Sequence, residues 1–240
     1  MWSICKKELN QFFSNLTGYI AILLFLLVNG IFLFVLQESS LFEYGYASLD
    51  KFFELAPWIL MFLVPAISMR SLSDEFKAGT FEILKTKPLS SWQIVLGKYW
   101  AILLVMLFVI VPTFVYIITI KTLSTTGNID SGGIAGSYLG LFLLAAVFAS
   151  ISICCSSFTE NAVVAFLIST FACLVLYFGF SAFSKLPILQ GNADFYVEML
   201  GIDFHYRSIS RGVLDSRDLV YFTSIVFLSL LITVKNLNKK

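Results

Sequence analysis

Six residues, Asp74, Glu75, Phe76, Gly79, Thr80 and Glu82, fall within nine positions of a polar stretch, residues 70–98, that separates two hydrophobic runs. Carboxylates beside an aromatic ring and a glycine suit recognition by a partner, and none of the six is expected to be catalytic. An enzyme working inside a membrane needs paired Asp, a Ser/His set or a ligand cluster within its spans, and inspection finds none. His205 is the single histidine and has no companion for a metal site. The four cysteines, Cys5, Cys154, Cys155 and Cys173, lack CxxC spacing. Three of them lie in apolar runs, where a thiol acts as a small hydrophobe. No disulfide, metal or cofactor is expected in this chain. The phosphate-binding pattern G-x-x-x-x-G-K-[ST] is also absent: Gly97-Lys98 lacks the upstream glycine and is followed by Tyr99. Any ATP-driven step would need a separate ATPase.

The elements that position these residues are legible nearby. Ser71-x-x-Asp74 has the spacing of a capping box, with Asp in place of the preferred Glu. Asp74 and Glu75 suit the positive end of a helix, and Leu72, Phe76, Ile83 and Leu84 supply an apolar face. Gly79 and Glu82 stand near its middle. Glycine inside a helix costs roughly 1 kcal/mol against alanine, which points to a close backbone approach there. Lys85 and Lys87 sit near the helix end, and Pro88 cannot continue it. Ser90-x-x-Gln93 then spells a second capping box. The stretch reads as a helix, a proline turn and a helix re-entering an apolar phase. A solvated basic loop is the plainer alternative, since five of the sixteen Lys/Arg residues lie here: Arg70, Lys77, Lys85, Lys87 and Lys98.

Around it the chain is 58% hydrophobic and 13% charged, far from the ~25% charge of soluble domains. So much apolar surface requires a bilayer. The expected fold is all-α: a single polytopic domain over 1–240 with six transmembrane helices, an N-terminal interfacial helix and a cytoplasmic coupling helix. The spans are placed at 17–36, 52–69, 99–120, 134–158, 161–184 and 216–234, the coupling loop at 70–98 and an outer loop at 185–215. About 20 residues of helix cross the hydrocarbon, and lipid demands an internally bonded backbone. With both termini inside, ten Lys/Arg fall on inner segments and six on outer ones, as the positive-inside rule asks. The first run is too long for a cleavable signal and should stay as an anchor.

Residues 1–16 read as an interfacial helix, with Trp2, Cys5, Leu9, Phe12 and Leu16 on one face. Pro65 and Pro112 should kink their spans. Ser150 to Ser157 is rich in small residues, which allow helices to approach closely. Asp215-x-x-Asp218 has capping spacing before the sixth span. His205, Tyr206, Arg207 and Arg211 read chiefly as solvated outer-loop residues, with contact to a substrate or outer partner as the alternative. Glu54 and Glu160 lie at span ends, so no ionic relay through the membrane is evident.

Glu75, Gly79-Thr80, Glu82, Leu84, Pro88-Leu89-Ser90 and Gly97-Lys98-Tyr99, in this order after a hydrophobic span, resemble the intracellular loop of ABC exporter permeases of the drug and polysaccharide class. Lys6-Lys7-Glu8-Leu9 with Phe12-Phe13 resembles that family's interfacial helix. Ser157-Phe158-Thr159-Glu160-Asn161-Ala162 resembles its turn between spans four and five, and residues 212–222 resemble its entry into span six. The likeness therefore runs through the whole chain. Within the family it is greatest to the gliding-motility-associated permeases of Bacteroidetes, through Met1-Trp2-Ser3-Ile4 and Pro65-Ala66-Ile67-Ser68-Met69-Arg70.

The resemblance implies that the Ser71–Leu84 helix is a coupling helix received by an ABC ATPase, which binds the ATP. Asp74, Glu75, Phe76, Gly79, Thr80 and Glu82 would form that coupling surface. It implies two membrane subunits and two ATPases in the bacterial cytoplasmic (inner) membrane, with both termini cytoplasmic. The second membrane subunit would be another permease or a larger gliding-associated protein, as a homo- or heterodimer, and no nucleic acid is involved. The expected function is that of a permease subunit of an exporter linked to gliding motility. The rival is a membrane scaffold that assembles surface motility machinery without moving a solute.

Overall fold

The computed structural model describes residues 1–35, 49–85, 89–123, 130–186, 193–212 and 215–239. The turn expected at Lys87-Pro88 and parts of the outer segments lie outside them. The regular structure among the described residues is helical throughout: α1 (Trp2–Ser14), α2 (Thr17–Phe34), α3 (Asp50–Ser68), α4 (Arg70–Lys77), α5 (Thr80–Lys85), α6 (Ser91–Ile110), α7 (Phe114–Leu123), α8 (Ser131–Ser156), α9 (Ala162–Leu174), α10 (Phe180–Ser184), α11 (Ala193–Glu198), α12 (Ile202–Ser210) and α13 (Ser216–Lys239). Six apolar helices or helix runs are long enough to cross a membrane: Thr17–Phe34, Asp50–Lys77, Ser91–Thr122, Ser131–Ser156, Ala162–Ser184 and Ser216–Lys239. This is an all-α polytopic membrane protein.

Small residues decide which helix is central. Along α8, Ala145, Ala146, Ala149, Ser150 and Ser152 are buried, and the helix packs against α3, α6, α9, α12 and α13. Thin side chains allow close approach, and the serines return their hydroxyls to the backbone, as Ser152 does to Phe148 O at 2.7 Å. By contrast α2 and α9 leave Tyr19, Leu23 and Leu27, and Val163, Leu167 and Phe171, exposed. Apolar faces of this kind suit an apolar phase more than water. Pro112 falls in a 3-10 turn, Val111–Thr113, between α6 and α7, whereas α3 runs through Pro57 and Pro65 without changing helix type.

In the loop expected on the outer side, the solvated reading holds for Arg207 and Arg211, which are exposed, and fails for the other two residues. His205 and Tyr206 are buried. The His205 ring stacks on Tyr221 at 3.9 Å, lies 2.6 Å from Asp218 through Nδ1, and donates from Nε2 to Met199 O at 2.9 Å. Asp218 is therefore taken by His205, while Asp215 accepts the Arg217 N–H at 3.0 Å. Arg207 reaches back one turn to Asp203, and that hydrogen bond holds its guanidinium more firmly protonated. Tyr206 Oη donates to Phe53 O at 2.8 Å and so fastens α12 to α3. Tyr206→Phe leaves that buried carbonyl without its donor and should destabilise the protein by about 1–2 kcal/mol. A lowered unfolding midpoint in detergent, with membrane insertion unchanged, is the expected result.

Candidate functional site

The residues singled out by the polar stretch converge with parts of the chain far from it. Helix α4 follows α3 with only Met69 between them, so Ser71 lies inside a nearly continuous helical run. The capping box expected at Ser71–Asp74 does not form: the cap position is Met69, without a side-chain bond. Instead Ser156, at the end of α8, accepts the N–H groups of Leu72 and Ser73 at 3.1 Å each and donates to Met69 O at 3.0 Å. One hydroxyl thus satisfies both sides of the break. The capping box at Ser90–Gln93 does form, with bonds of 3.3 and 3.2 Å in the two directions.

The single helix expected over 71–84 is two. Gly79 takes φ +66°, a left-handed conformation that ends α4 after Ala78 and lets α5 turn back. The glycine therefore serves a turn, and a Cβ there would meet open space instead of a neighbouring backbone. Phe76 and Phe81 pack edge to face at 5.0 Å and hold the two short helices together.

Beneath this knuckle lies a buried charge cluster. Lys98 is 1% exposed. Its Nζ contacts Glu8 Oε1 at 2.8 Å and Glu75 Oε1 at 2.9 Å, and donates to Ser71 O at 2.6 Å. Lys7 adds a longer contact to Glu75, 3.5 Å. Two cations meet two anions, so the cluster is neutral overall, as burial in a low-dielectric setting requires. Gly97 makes the geometry possible. A Cβ there would stand 2.9 Å from Ile4 Cβ, so only glycine lets α1 lie this close to α6. The consecutive pair Gly97-Lys98 thus has two separate duties, contact and charge.

The six residues divide by exposure. Asp74, Gly79, Thr80 and Glu82 are exposed, Phe76 is half-buried, and Glu75 is turned inward toward Lys98. Asp74 also lies on the rim of a cavity between α1, α2, α3 and α4. Sequence reasoning passed over Glu8, Lys98 as a buried group, and Ser156. Glu8 carried a usable signal: it follows Ile4 and Cys5 by four and three residues, on the buried side of α1. A carboxylate on an apolar stripe calls for a cationic partner. Of the apolar face expected for α1, Cys5 is buried and Leu9 and Phe12 are partly so, whereas Trp2 and Leu16 point away from the bundle. Burial pushes the Cys5 thiol above its ordinary value, with Glu8 adding to the effect, which keeps it unreactive.

The same end of the molecule gathers the turn between α8 and α9 and the end of α13. Asn236 Nδ2 donates to Ser157 O at 2.8 Å, and Asn161 accepts the Val163 N–H at 2.9 Å to start α9. Among the described residues no group of His, Cys, Asp and Glu side chains is placed to hold a metal ion. The arrangement is an exposed tip, braced by a buried ionic tie to α1 and α6 and by Ser156 to α8. Residues 2–234 match the family described as ABC-2 family transporter protein. No curated protein gives a significant match to the chain.

Proposed function

The chain belongs to the ABC-2 family of membrane transporter proteins, a non-catalytic permease type, and we propose that it couples a separate ABC ATPase to movement of its membrane helices through the α4–α5 tip. One observation carries this reading. Lys98 joins α1, α4 and α6 through three polar contacts within 2.9 Å, so displacement of the tip is passed to all three elements together. Gly79, Thr80 and Glu82 form the outer contact of that lever, Asp74 flanks it from the side of the cavity, Phe76 stiffens it, and Glu75 acts from beneath as its anchor.

In this reading the tip and both termini face the cytoplasm at the bacterial inner membrane, in keeping with the excess of Lys and Arg on those segments. ATP is bound by the partner, and the complex pairs two membrane subunits with two ATPases. The finer assignment is to export in support of gliding motility, on the likeness of residues 1–4 and 65–70 to that branch. The second membrane subunit would then be a further permease or a larger gliding-associated protein.

The test is affinity purification of the tagged chain from native membranes in mild detergent, with mass spectrometry of what accompanies it. A stoichiometric ABC ATPase is expected. Gly79→Trp, which places an indole on the exposed tip, should abolish ATPase binding while sparing membrane insertion. Gly79→Ala carries the same backbone strain with only one added methyl and should retain binding. Full ATPase binding by the tryptophan variant would remove the tip from the interface. Solute-dependent ATPase activity in the reconstituted complex separates transport from a scaffold role, which predicts none.

A further inference from the structure

A cavity of about 310 Å³ lies beside the charge cluster, between α1, α2, α3 and α4. Its two ends differ in chemistry. Arg70 and Asp74 stand at one end, four residues apart on one face of α4. Neither forms an ion pair with the other or with any described residue. Ser71 lines the same end; it is 6% exposed, and its hydroxyl has no hydrogen-bond partner among the described residues. The other end is apolar, walled by Ala21 and Leu24 from α2 and by Leu63 and Ala66 from α3.

The apolar end continues. A second cavity of about 410 Å³ shares Leu24, Leu63 and Ala66 with the first and extends along the α2–α3 groove to Phe32 and Trp58. From Ile20 to Phe32 this is twelve residues of helix, about 18 Å at 1.5 Å per residue. One leaflet of a ~30 Å hydrocarbon layer is about half that layer thick, close to the same reach. Glu8, the remaining acid on the wall, is already engaged by Lys98.

We propose that this cleft is a specific site for a phospholipid whose headgroup carries a phosphodiester and a primary ammonium, as in phosphatidylethanolamine. Arg70 takes the phosphodiester oxygens, which match the guanidinium fork. Asp74 takes the ammonium. An acyl chain lies in the α2–α3 groove. Charge complementarity selects the class: one free cation and one free anion suit a zwitterion, whereas an anionic headgroup would meet Asp74 with repulsion. A trimethylated ammonium has no N–H to donate to Asp74.

The test reads bound lipid, so it stands apart from the coupling assignment. The full chain, purified with whatever subunits accompany it, is placed in nanodiscs of equimolar phosphatidylethanolamine, phosphatidylglycerol and phosphatidylcholine. It is then re-extracted, and the retained lipids are counted by native mass spectrometry. Phosphatidylethanolamine should be retained about tenfold over either competitor, the weight of one hydrogen bond to a charged group. Asp74→Asn, an exposed change that removes the charge facing the ammonium, and Leu24→Trp, which fills the cleft, should each abolish the preference. Arg70→Gln, which loses a contact to the phosphodiester common to all three lipids, should lower the retention of each. Ile31→Trp, on the same helix as Leu24 but lining neither cavity, should leave the preference unchanged. Equal retention of the three lipids, or an unchanged preference in Asp74→Asn and Leu24→Trp, would overturn the proposal and leave ordinary annular lipid.

Discussion

Lys98→Met is expected to destabilise the protein by about 3–5 kcal/mol, the cost of removing one partner from a buried ion pair. The substitution keeps an unbranched apolar chain in the space but removes what is, among the described residues, the only cation in contact with Glu8 and one of two in contact with Glu75. The Glu75 Oε2 atom already lacks a hydrogen-bond partner among the described residues. The Ser71 carbonyl loses its 2.6 Å donor as well. Lys7 offers no replacement, because it is largely exposed and its contact is 3.5 Å long. The measurement is the thermal midpoint of the purified protein in detergent, paired with protease sensitivity of α1. Both should worsen, since α1 is held to α6 by this tie and by the Gly97 contact. Adding Glu8→Gln and Glu75→Gln to Lys98→Met should recover most of the loss, because neutral amides are far less costly to bury than unpaired carboxylates. If the single variant matches the wild type, Lys98 is solvated in the native membrane and the tie is not structural.

Ser156→Ala ranks second, with an expected cost of about 2–4 kcal/mol. One oxygen serves three backbone groups at the junction of α3 and α4, and removing it leaves the Leu72 and Ser73 N–H groups and the Met69 carbonyl short of a partner. Each buried group stranded in this way costs roughly 1–3 kcal/mol, and water reaching the junction recovers part of the sum. Ser73 Oγ still donates to Met69 O at 2.6 Å, so the two N–H groups carry most of the effect. Amide hydrogen exchange is the discriminating measurement. Leu72 and Ser73 should lose protection while the midpart of α8 keeps it. Loss of protection along all of α8 would mean that Ser156 matters for packing of that helix and not for the α3–α4 junction.

Much of the architecture was readable from neighbouring residues. Uncharged runs such as 99–120 and 134–158 require helices across a bilayer, whatever surrounds them, because unbonded backbone is intolerable in lipid. The Ser90–Gln93 capping box formed as its spacing predicts, since both partners lie within one helical turn. The same rule failed at Ser71–Asp74. There the preceding span runs almost directly into α4, so Ser71 is no longer the residue where a helix begins. Gly79 was read as a site of close backbone approach within one helix; its positive φ makes it the end of one helix and the turn to another, with open space around it.

Composition and local pattern by themselves determined six spans, an all-helical fold, a separate helix before the first span and a polar knuckle after the second span. Those features depend on solvation and hydrogen bonding among residues a few positions apart. Tertiary structure alone decided that Lys98 leaves the set of solvated basic residues, that Glu8 and Glu75 answer it, that Ser156 completes the start of α4, and that His205 is enclosed by Asp218 and Tyr221. The reason is distance along the chain. Lys98 and Glu8 are 90 residues apart, and Ser156 and Leu72 are 84 apart. No periodicity joins such partners; only the packing of α1 on α6 and of α4 on α8 brings their charges and hydrogen bonds within reach.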